Sequence, residues 1–510
     1  MEEISDRKMF VIAFAGTLLA KIILSIAIPF TSDEALFALW GRFPGGGYYD
    51  HPPMVGWLMH LMMHIGSSAF WLRLPAVVFT QFIGLGIYLL LKKRDTPNLK
   101  ASFLAILFLV SPINILNVLI TTDTPLILFS FCSGALLYMA LERGNYRYYV
   151  LSGAFLGAAF LSKYFAVLLG FAYAVYFIFS KKERRKTVGF CILFLAALPF
   201  VAQNIYWNYT HCWTNILFNV FNRNRAEHFS IVKMLAFLLS QSYLVTPPVI
   251  YYLAVRRREL LPRIRQNRPA IMLAAFLVPL AVFGVLSAKK MIGLHWVLAF
   301  YPFMYVALFP LLTEADLIKS IKFMTAFSIV HLFLIATILS LPVSLAKSNK
   351  NFNMIVLGTN PGAIIRELMP YEKDFQFATP SYATSALLTY QRRYNKYFAV
   401  FGGGSQHGRQ DDILTDFRAL DGKNILVMQE SKPMSGDFER FFVRAEIKQF
   451  SVQDARFYLV LGYGFNYIAY KEKILTPIRD QFYNIPAFLP TASCYFLDRY
   501  FGGRHVSATK

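Results

Sequence analysis

Charge is what this chain has least of. Only 16% of its 510 residues are Asp, Glu, Lys or Arg, against 56% hydrophobic and 16% aromatic. That composition lies outside the range of soluble globular proteins. Cysteine is scarcer still, and four in the whole chain cannot make a disulfide framework. Cys132 and Cys191 fall inside apolar runs, where cysteine packs as a small hydrophobe. Cys212 and Cys494 read as sharing one compartment, without a bridge being expected between them. No tight spacing of His, Cys, Asp and Glu announces a metal centre, and no glycine motif of the phosphate-cradling kind occurs; "FGGGS" reads as a turn. There is no internal repeat and no low-complexity tract. Acids are the minority charge, 29 against 51 Lys and Arg, which leaves a formal net charge of +22. In a soluble protein such an excess points to nucleic acid, so the placement of the basic residues has to decide.

What the chain has in place of charge is long apolar runs. Those of spanning length lie near residues 9–30, 70–91, 101–119, 125–141, 187–205, 231–255, 269–287, 294–312 and 321–343. The first carries no small-residue cleavage pattern after it and reads as a retained helix. Between Tyr148 and Ser180 one further run is apolar except for "LSKY" at its middle. Arg143 and Arg147 precede it and "KKERRK" follows. Basic clusters collect on the cytoplasmic side, so the chain must cross an even number of times between them. Two short spans meeting at Lys163 satisfy this, which predicts about eleven crossings. With the N-terminus inside, the basic clusters fall in the inner loops, where they face anionic lipid. The charge is then a matter of membrane topology and nucleic acid is excluded as partner.

After Leu341 the pattern changes. Short β-branched or alternating runs ("NILVMQ", "FYLVLGYGF"), a helix-like "ATSALLTYQRRYNKY" and glycine turns predict a soluble mixed α/β domain over 344–510, following a membrane domain over 1–343. Parity puts it outside the cell membrane, in the periplasm of a Gram-negative cell.

The same parity places the conspicuous polar clusters on that outer side: "TSDEALFALWGRFPGGGYYDHPP" after the first span, "TTDTP", "SKY", "NIYWNYTHCWTN" with "FNRNRAEHF", and "SAKKMIGLHW". Ionisable residues at membrane depth are costly and mark pathways or sites, so their sharing one face predicts a single cavity fed by several loops. Asp33 and Glu34 follow Thr31 and Ser32, which suit the N-cap of an interfacial helix to about Trp40. Both acids could simply complement that helix end; Asp33 is the better base, since a carboxylate beside apolar surface holds a proton more readily. In "YYDHPP" the two prolines suit the first turn of the next helix and hold Asp50 and His51 at its start. A plain turn needs the prolines but neither the acid nor the imidazole, so Tyr48, Asp50 and His51 read as substrate-binding residues. Asp123 competes between that role and N-cap of the next span. Lys163 competes between anion binding and snorkelling to the interface. Arg223, Arg225, Lys289 and Lys290 add cationic donors matched to a phosphate or diphosphate. His295 joins the binding set; His211 and His295 could each bind metal with a carboxylate, without a tight ligand spacing to support it, and His211 and Asp50 are the weak metal candidates. Trp207, Trp213 and Trp296 read as interfacial tryptophans before sugar-stacking ones.

Taken in order, "DE" after the first span, "YYDHPP", "TTDTPL", "LSKY", "NIYWNYTHCWTN" and "GLHW" resemble the bacterial dolichyl-phosphate-mannose protein mannosyltransferase-like group of the glycosyltransferase C superfamily. Its best-known relatives are protein O-mannosyltransferases and lipid A aminoarabinose transferases. The resemblance covers most of residues 1–343. It implies a polytopic helical fold with an extracytoplasmic domain, a polyprenyl-phosphate-linked sugar donor, and transfer with inversion at the anomeric carbon. Asp33 matches the family's first-loop catalytic acid. Asp50 with His51 matches the pair before the double proline in a form intermediate between the two groups of relatives. Asp123 and Lys163 match by motif context.

The expectation is therefore an inverting glycosyltransferase of a bacterial inner membrane, acting at the outer surface. Its acceptor is lipid A, lipopolysaccharide or another glycolipid, with protein Ser or Thr as the alternative. No cofactor is required, although a divalent metal is compatible. A lipid-linked sugar flippase is the alternative from another class; it calls for polar residues at mid-membrane and related halves, which the sequence does not offer.

Overall fold

The computed structural model of the chain describes residues 2–92, 98–222, 228–259, 262, 270–403, 410–434 and 436–502. They form two compact units. One comprises residues 1–28, 65–203 and 226–339; the other comprises 29–64, 204–225 and 340–510. The soluble segment expected from residue 344 is therefore one part of a unit that also contains the loop after the first span and the segment around residue 210.

The first unit is helical. Among the described residues, six helices are long and apolar enough to cross a membrane, the first of them over Arg7–Ala27, and a bent pair raises the number to seven. The other apolar runs predicted to span are shorter or broken, so the expected count of eleven is not reached by single helices. Proline accounts for much of the difference. The run expected to cross over 231–255 is two helices, Ile231–Val245 and Pro247–Val255, bent by 90° where Thr246 takes a positive φ of 74° before Pro247, because a residue ahead of proline is driven out of helical geometry. The run from 101 ends its helix at Leu109, just before Ser111 and Pro112. The 294–312 run opens as a 3₁₀ turn, Leu294–Phe300, and becomes α-helical only over Tyr301–Ala307. The break expected at Lys163 is present: one helix covers Tyr146–Ser162, the next Ala166–Phe179, and Lys163 between them is extended. A continuous cluster of buried Leu, Ile, Phe and Ala side chains from these helices forms the unit's core.

The second unit holds a five-stranded mixed sheet: β1 (Gln376–Thr379), β2 (Ala399–Val400), β3 (Ile425–Gln429), β4 (Phe442–Val452) and β5 (Ala455–Phe465), in the order β2-β1-β3-β5-β4. β1 runs parallel to β2 and β3, and β5 lies antiparallel to β3 and β4. The predicted "NILVMQ" and "FYLVLGYGF" strands are β3 and β5, and "ATSALLTYQ" is the helix Tyr382–Gln391. Behind the sheet an aromatic core joins Phe401, Phe417, Phe465 and Tyr470 to Tyr483 and Phe496, and it includes Tyr49, Cys212 and Phe218 from the two shorter segments. Cys212 and Cys494, separated by 282 positions, form a disulfide. The bridge was the less favoured of the two readings of this pair: their sequence distance hid a proximity that only the fold creates.

Candidate functional site

The second unit presents the first-loop acids on a rigid frame. Thr31 caps the helix Ser32–Arg42 with a complete capping box. The Glu34 amide donates to the Thr31 hydroxyl (3.3 Å), while the Thr31 amide and hydroxyl each donate to the Glu34 carboxylate (3.0 Å). Glu34 is 1% exposed and its carboxylate is committed to the helix start, whereas its neighbour Asp33 is exposed. The helix packs on Tyr382–Gln391, and Phe30 stacks on Tyr390 at 4.3 Å. Burial first, then the charges of Asp33, Asp50 and Asp411, push the Tyr382 phenol up to about 12. Two acids of the first loop and one of the sheet unit thus act on one hydroxyl that stays protonated at neutral pH.

The phenols of "YYDHPP" have a different purpose from the one expected. Tyr48 is fully buried and stacks on Trp40 at 4.3 Å and 7°. Its hydroxyl donates to the Trp40 carbonyl (3.0 Å) and accepts from the Gly45 amide (3.3 Å). A Cβ on Gly56 would run into that hydroxyl. Burial holds the phenol well above its usual range. Tyr48 is therefore a structural residue, which corrects its place among substrate-binding candidates. Tyr49 is buried too, against Phe218 and Tyr483.

The backbone between these rings is gripped by side-chain amides. Asn215 donates to the Tyr48 carbonyl (3.0 Å), Gln410 accepts from the Tyr49 amide (2.9 Å), and Asn219 donates to the Asp50 carbonyl (2.9 Å). The Tyr48 amide closes a turn on the His51 carbonyl (2.9 Å). Asp50 and His51 themselves keep partly accessible side chains, with Nδ1 of His51 3.1 Å from a carboxylate oxygen of Asp50. The helix Met54–Met63 begins directly after Pro53, as the proline pair requires.

His211, the weak metal candidate, is otherwise occupied. It stacks on Trp207 at 4.5 Å, and its Nδ1 lies 3.0 Å from the Trp207 carbonyl and 2.9 Å from the Thr210 hydroxyl. Burial lowers its proton affinity, more than the Trp207 carbonyl raises it. Among the described residues no three His, Cys, Asp or Glu side chains gather in a way that could hold a metal ion. Trp213 is buried and donates to the Pro490 carbonyl at 2.6 Å. Tyr382, Gln410 and Asp411 are absent from the sequence-based set because nothing local distinguishes them. Of the two asparagines, Asn215 ends one quoted motif and Asn219 lies between it and the next, and only their four-residue spacing hinted at a shared face.

In the first unit, Asp123 and Lys163 find each other. Nζ of Lys163 donates to both carboxylate oxygens of Asp123, at 2.9 and 2.8 Å, with side chains only 11% and 6% exposed. Asp123 is the first residue of the helix Asp123–Arg143, whose N-cap is Thr122, and the Thr122 side chain makes no cap bond. Asp123 is not the N-cap, Lys163 does not snorkel, and the anion beside Lys163 is a carboxylate of the chain. Nζ also lies 5.1 Å from the Phe165 ring centre, and Phe165 packs on Trp296 at 5.0 Å, so "TTDTP", "LSKY" and "GLHW" are neighbours. His295 is exposed beside Trp296. Lys289 and Lys290 follow the helix Ala270–Ser287, and the Lys289 carbonyl accepts from Lys233 (2.5 Å). Arg223 and Arg225 lie outside the described residues.

Comparison with known proteins agrees with this architecture. Residues 50–207 match the family model described as dolichyl-phosphate-mannose-protein mannosyltransferase. The lipid A galacturonosyltransferase RgtD of Rhizobium johnstonii (strain DSM 114642 / LMG 32736 / 3841) is 27% identical over 220 residues, 42% of this chain and 46% of that protein. The match thus spans about half the length of the curated relative. The crystal structure of ArnT from Cupriavidus metallidurans bound to undecaprenyl phosphate superposes with a TM-score of 0.59 at 13% identity, covering 88% of this chain and 97% of that one. The apo state of ArnT gives 0.57 at 15% identity, over 89% and 98%. At these identities the structural likeness is one of fold, and the fold is a polytopic membrane one.

Proposed function

We propose, from the premise that this chain belongs to the glycosyltransferase C superfamily, that it is an inverting glycosyltransferase. It moves a monosaccharide from a polyprenyl-phosphate donor to an acceptor on the outer side of a bacterial inner membrane, and the acceptor is of the lipid A or lipopolysaccharide class. The observation that carries the reading is the set of Asp33, Asp50 and His51 on an immobilised first-loop frame. It is supported by the names of the relatives, a lipid A galacturonosyltransferase and a protein crystallised with undecaprenyl phosphate.

In the reaction, the acceptor hydroxyl gives its proton to Asp33 as its oxygen bonds to the anomeric carbon from the face opposite the phosphate. The carbon–oxygen bond to the phosphate breaks, and polyprenyl phosphate leaves with the bonding pair. Asp50 and His51 orient the reacting groups. The leaving phosphate needs cationic donors more than an acid, since its charge develops on oxygens that ammonium and guanidinium groups match. Lys289, Lys290, Arg223 and Arg225 are our first choices. Lys163, chelated by Asp123, holds a helix junction and has one further N–H to offer.

The test is transfer by the purified chain from a defined polyprenyl-phosphate sugar, with mass spectrometry of envelope glycolipids and glycoproteins from cells with and without it. Wild-type chain is expected to glycosylate a lipid acceptor, and Asp33→Asn to bind donor while turnover falls by about a hundredfold or more. Modification confined to protein Ser or Thr would replace the acceptor class. Donor lipid translocated equally well by Asp33→Asn would replace the enzyme with a flippase.

A further inference from the structure

The three amides that grip "YYDH" come from two segments far away in the chain, and they do more than bury polar groups. The peptide joining Tyr48 to Tyr49 is held at both ends, its carbonyl by Asn215 and its N–H by Gln410, and the peptide joining Asp50 to His51 is held by Asn219. Tyr49 and Asp50 therefore lie between two pinned peptide planes. Pro52 restricts His51 on the other side, because a residue before proline is confined to extended geometry. Holding the chain on both sides of this two-residue stretch narrows the positions open to Asp50.

The supports are themselves braced. Asn215 and Asn219 occupy one face of the stretch Thr214–Asn222, whose last turns, Leu217–Asn222, are π-helical; single π turns inside helices are often found at functional positions. The Asn219 amide also donates to the Asn215 carbonyl (2.9 Å), and Oδ1 of Asn208 accepts from the Ile216 amide (3.3 Å). Just upstream, the Cys212–Cys494 bridge, the Trp213 bond to Pro490, the Ala492 amide on Tyr209 (3.1 Å) and the Ser493 hydroxyl on Thr210 (2.9 Å) tie the stretch to the chain's last segment.

We infer that Asn215, Asn219 and Gln410 are positioning residues for Asp50 and His51, and that the Cys212–Cys494 bridge fixes the helix that carries the two asparagines. The catalytic frame is thus set by the C-terminal segment through a disulfide and an amide cradle. This rests on the orienting role given above to Asp50 and His51. A bridge at this position also requires that the segment mature in an oxidising compartment.

Hydrogen–deuterium exchange and transfer kinetics on the full chain in lipid nanodiscs test it together. Asn219→Leu, which keeps the branched side-chain skeleton of Asn and removes its donor, is expected to speed exchange of the amides of residues 48–51. It should also lower kcat by about tenfold, since small misplacements of reacting groups are expensive, with KM for the lipid donor and the unfolding temperature close to wild type. Gln410→Leu should reproduce this, and it decides the matter if Asn219→Leu unfolds early. Reducing the bridge with a phosphine should loosen the same amides. Unchanged exchange at 48–51 in both variants, or wild-type kcat in both, overturns the cradle; unchanged exchange after reduction overturns the part given to the bridge. If the wild-type chain transfers no sugar to any acceptor, the proposed function fails, and the exchange measurement still decides whether the amides hold the frame.

Discussion

Asp123 with Lys163 in the membrane unit and Asp50 with His51 in the second unit are both acid–base pairs that the sequence offers as site residues, yet they are built in opposite ways. Lys163 chelates Asp123 through two short bonds in near-complete burial. The Asp50–His51 approach, at 3.1 Å, lacks hydrogen-bond alignment, and both side chains keep some accessibility. In the first pair the side chains are locked to each other. In the second the backbone is held by Asn215, Gln410 and Asn219, and the side chains stay partly accessible. A satisfied buried pair fixes structure, whereas a held backbone under partly accessible side chains is how a binding or catalytic group is prepared.

The contrast is sharpest in what substitution should do. Lys163→Met leaves the Asp123 carboxylate buried without its cation, and the expected loss is about 3–5 kcal/mol of stability. Denaturant or thermal unfolding reads it, and Lys163→Met with Asp123→Leu should recover most of the loss, since removing both charges removes the desolvation problem. Equal losses in the single and double variants would show that the pair is not the structural element argued here. Asp50→Asn should do the reverse, lowering turnover by about a hundredfold through lost orientation while the unfolding midpoint stays where it was.

A smaller effect separates Glu34 from Asp33 in the same loop. Thr31→Ala removes one side of the capping box and should cost about 1 kcal/mol, with transfer lowered only as far as the loop is loosened. The least effect concerns His211. Burial places its folded-state proton affinity below the ordinary histidine value of 6.5, so its contribution to stability is present above that pH and is lost as pH falls through and below it. A thermal scan from about pH 8 to about pH 5 should show a decline that His211→Gln makes shallower; parallel curves would remove His211 from the account.

Much of this was legible along the chain. Hydropathy located the six long apolar helices found among the described residues, the basic flanks of the 148–180 run required a break, and the break stands at Lys163. β-Branched runs located two strands, and the order of motifs resembled the family whose model matches residues 50–207. Misreadings occurred where a local cue had a non-local answer. The charge of Lys163 was read as asking for an external anion, and Tyr48 beside an acid and an imidazole was read as a ligand. In the fold a carboxylate forty residues away meets the first, and Trp40 with Gly56 encloses the second.

By itself, then, the sequence determined the elements and their kind, because spanning length, alternation and proline punctuation are properties of neighbouring residues. Tertiary structure alone decided which first-loop acid is spent on capping and which remains accessible, that Cys212 meets Cys494, and that Asn215, Asn219 and Gln410 close on the turn at Asp50. These contacts join groups up to 361 positions apart. No local pattern encodes such a pairing, because the energy that makes it comes from burying the whole unit at once.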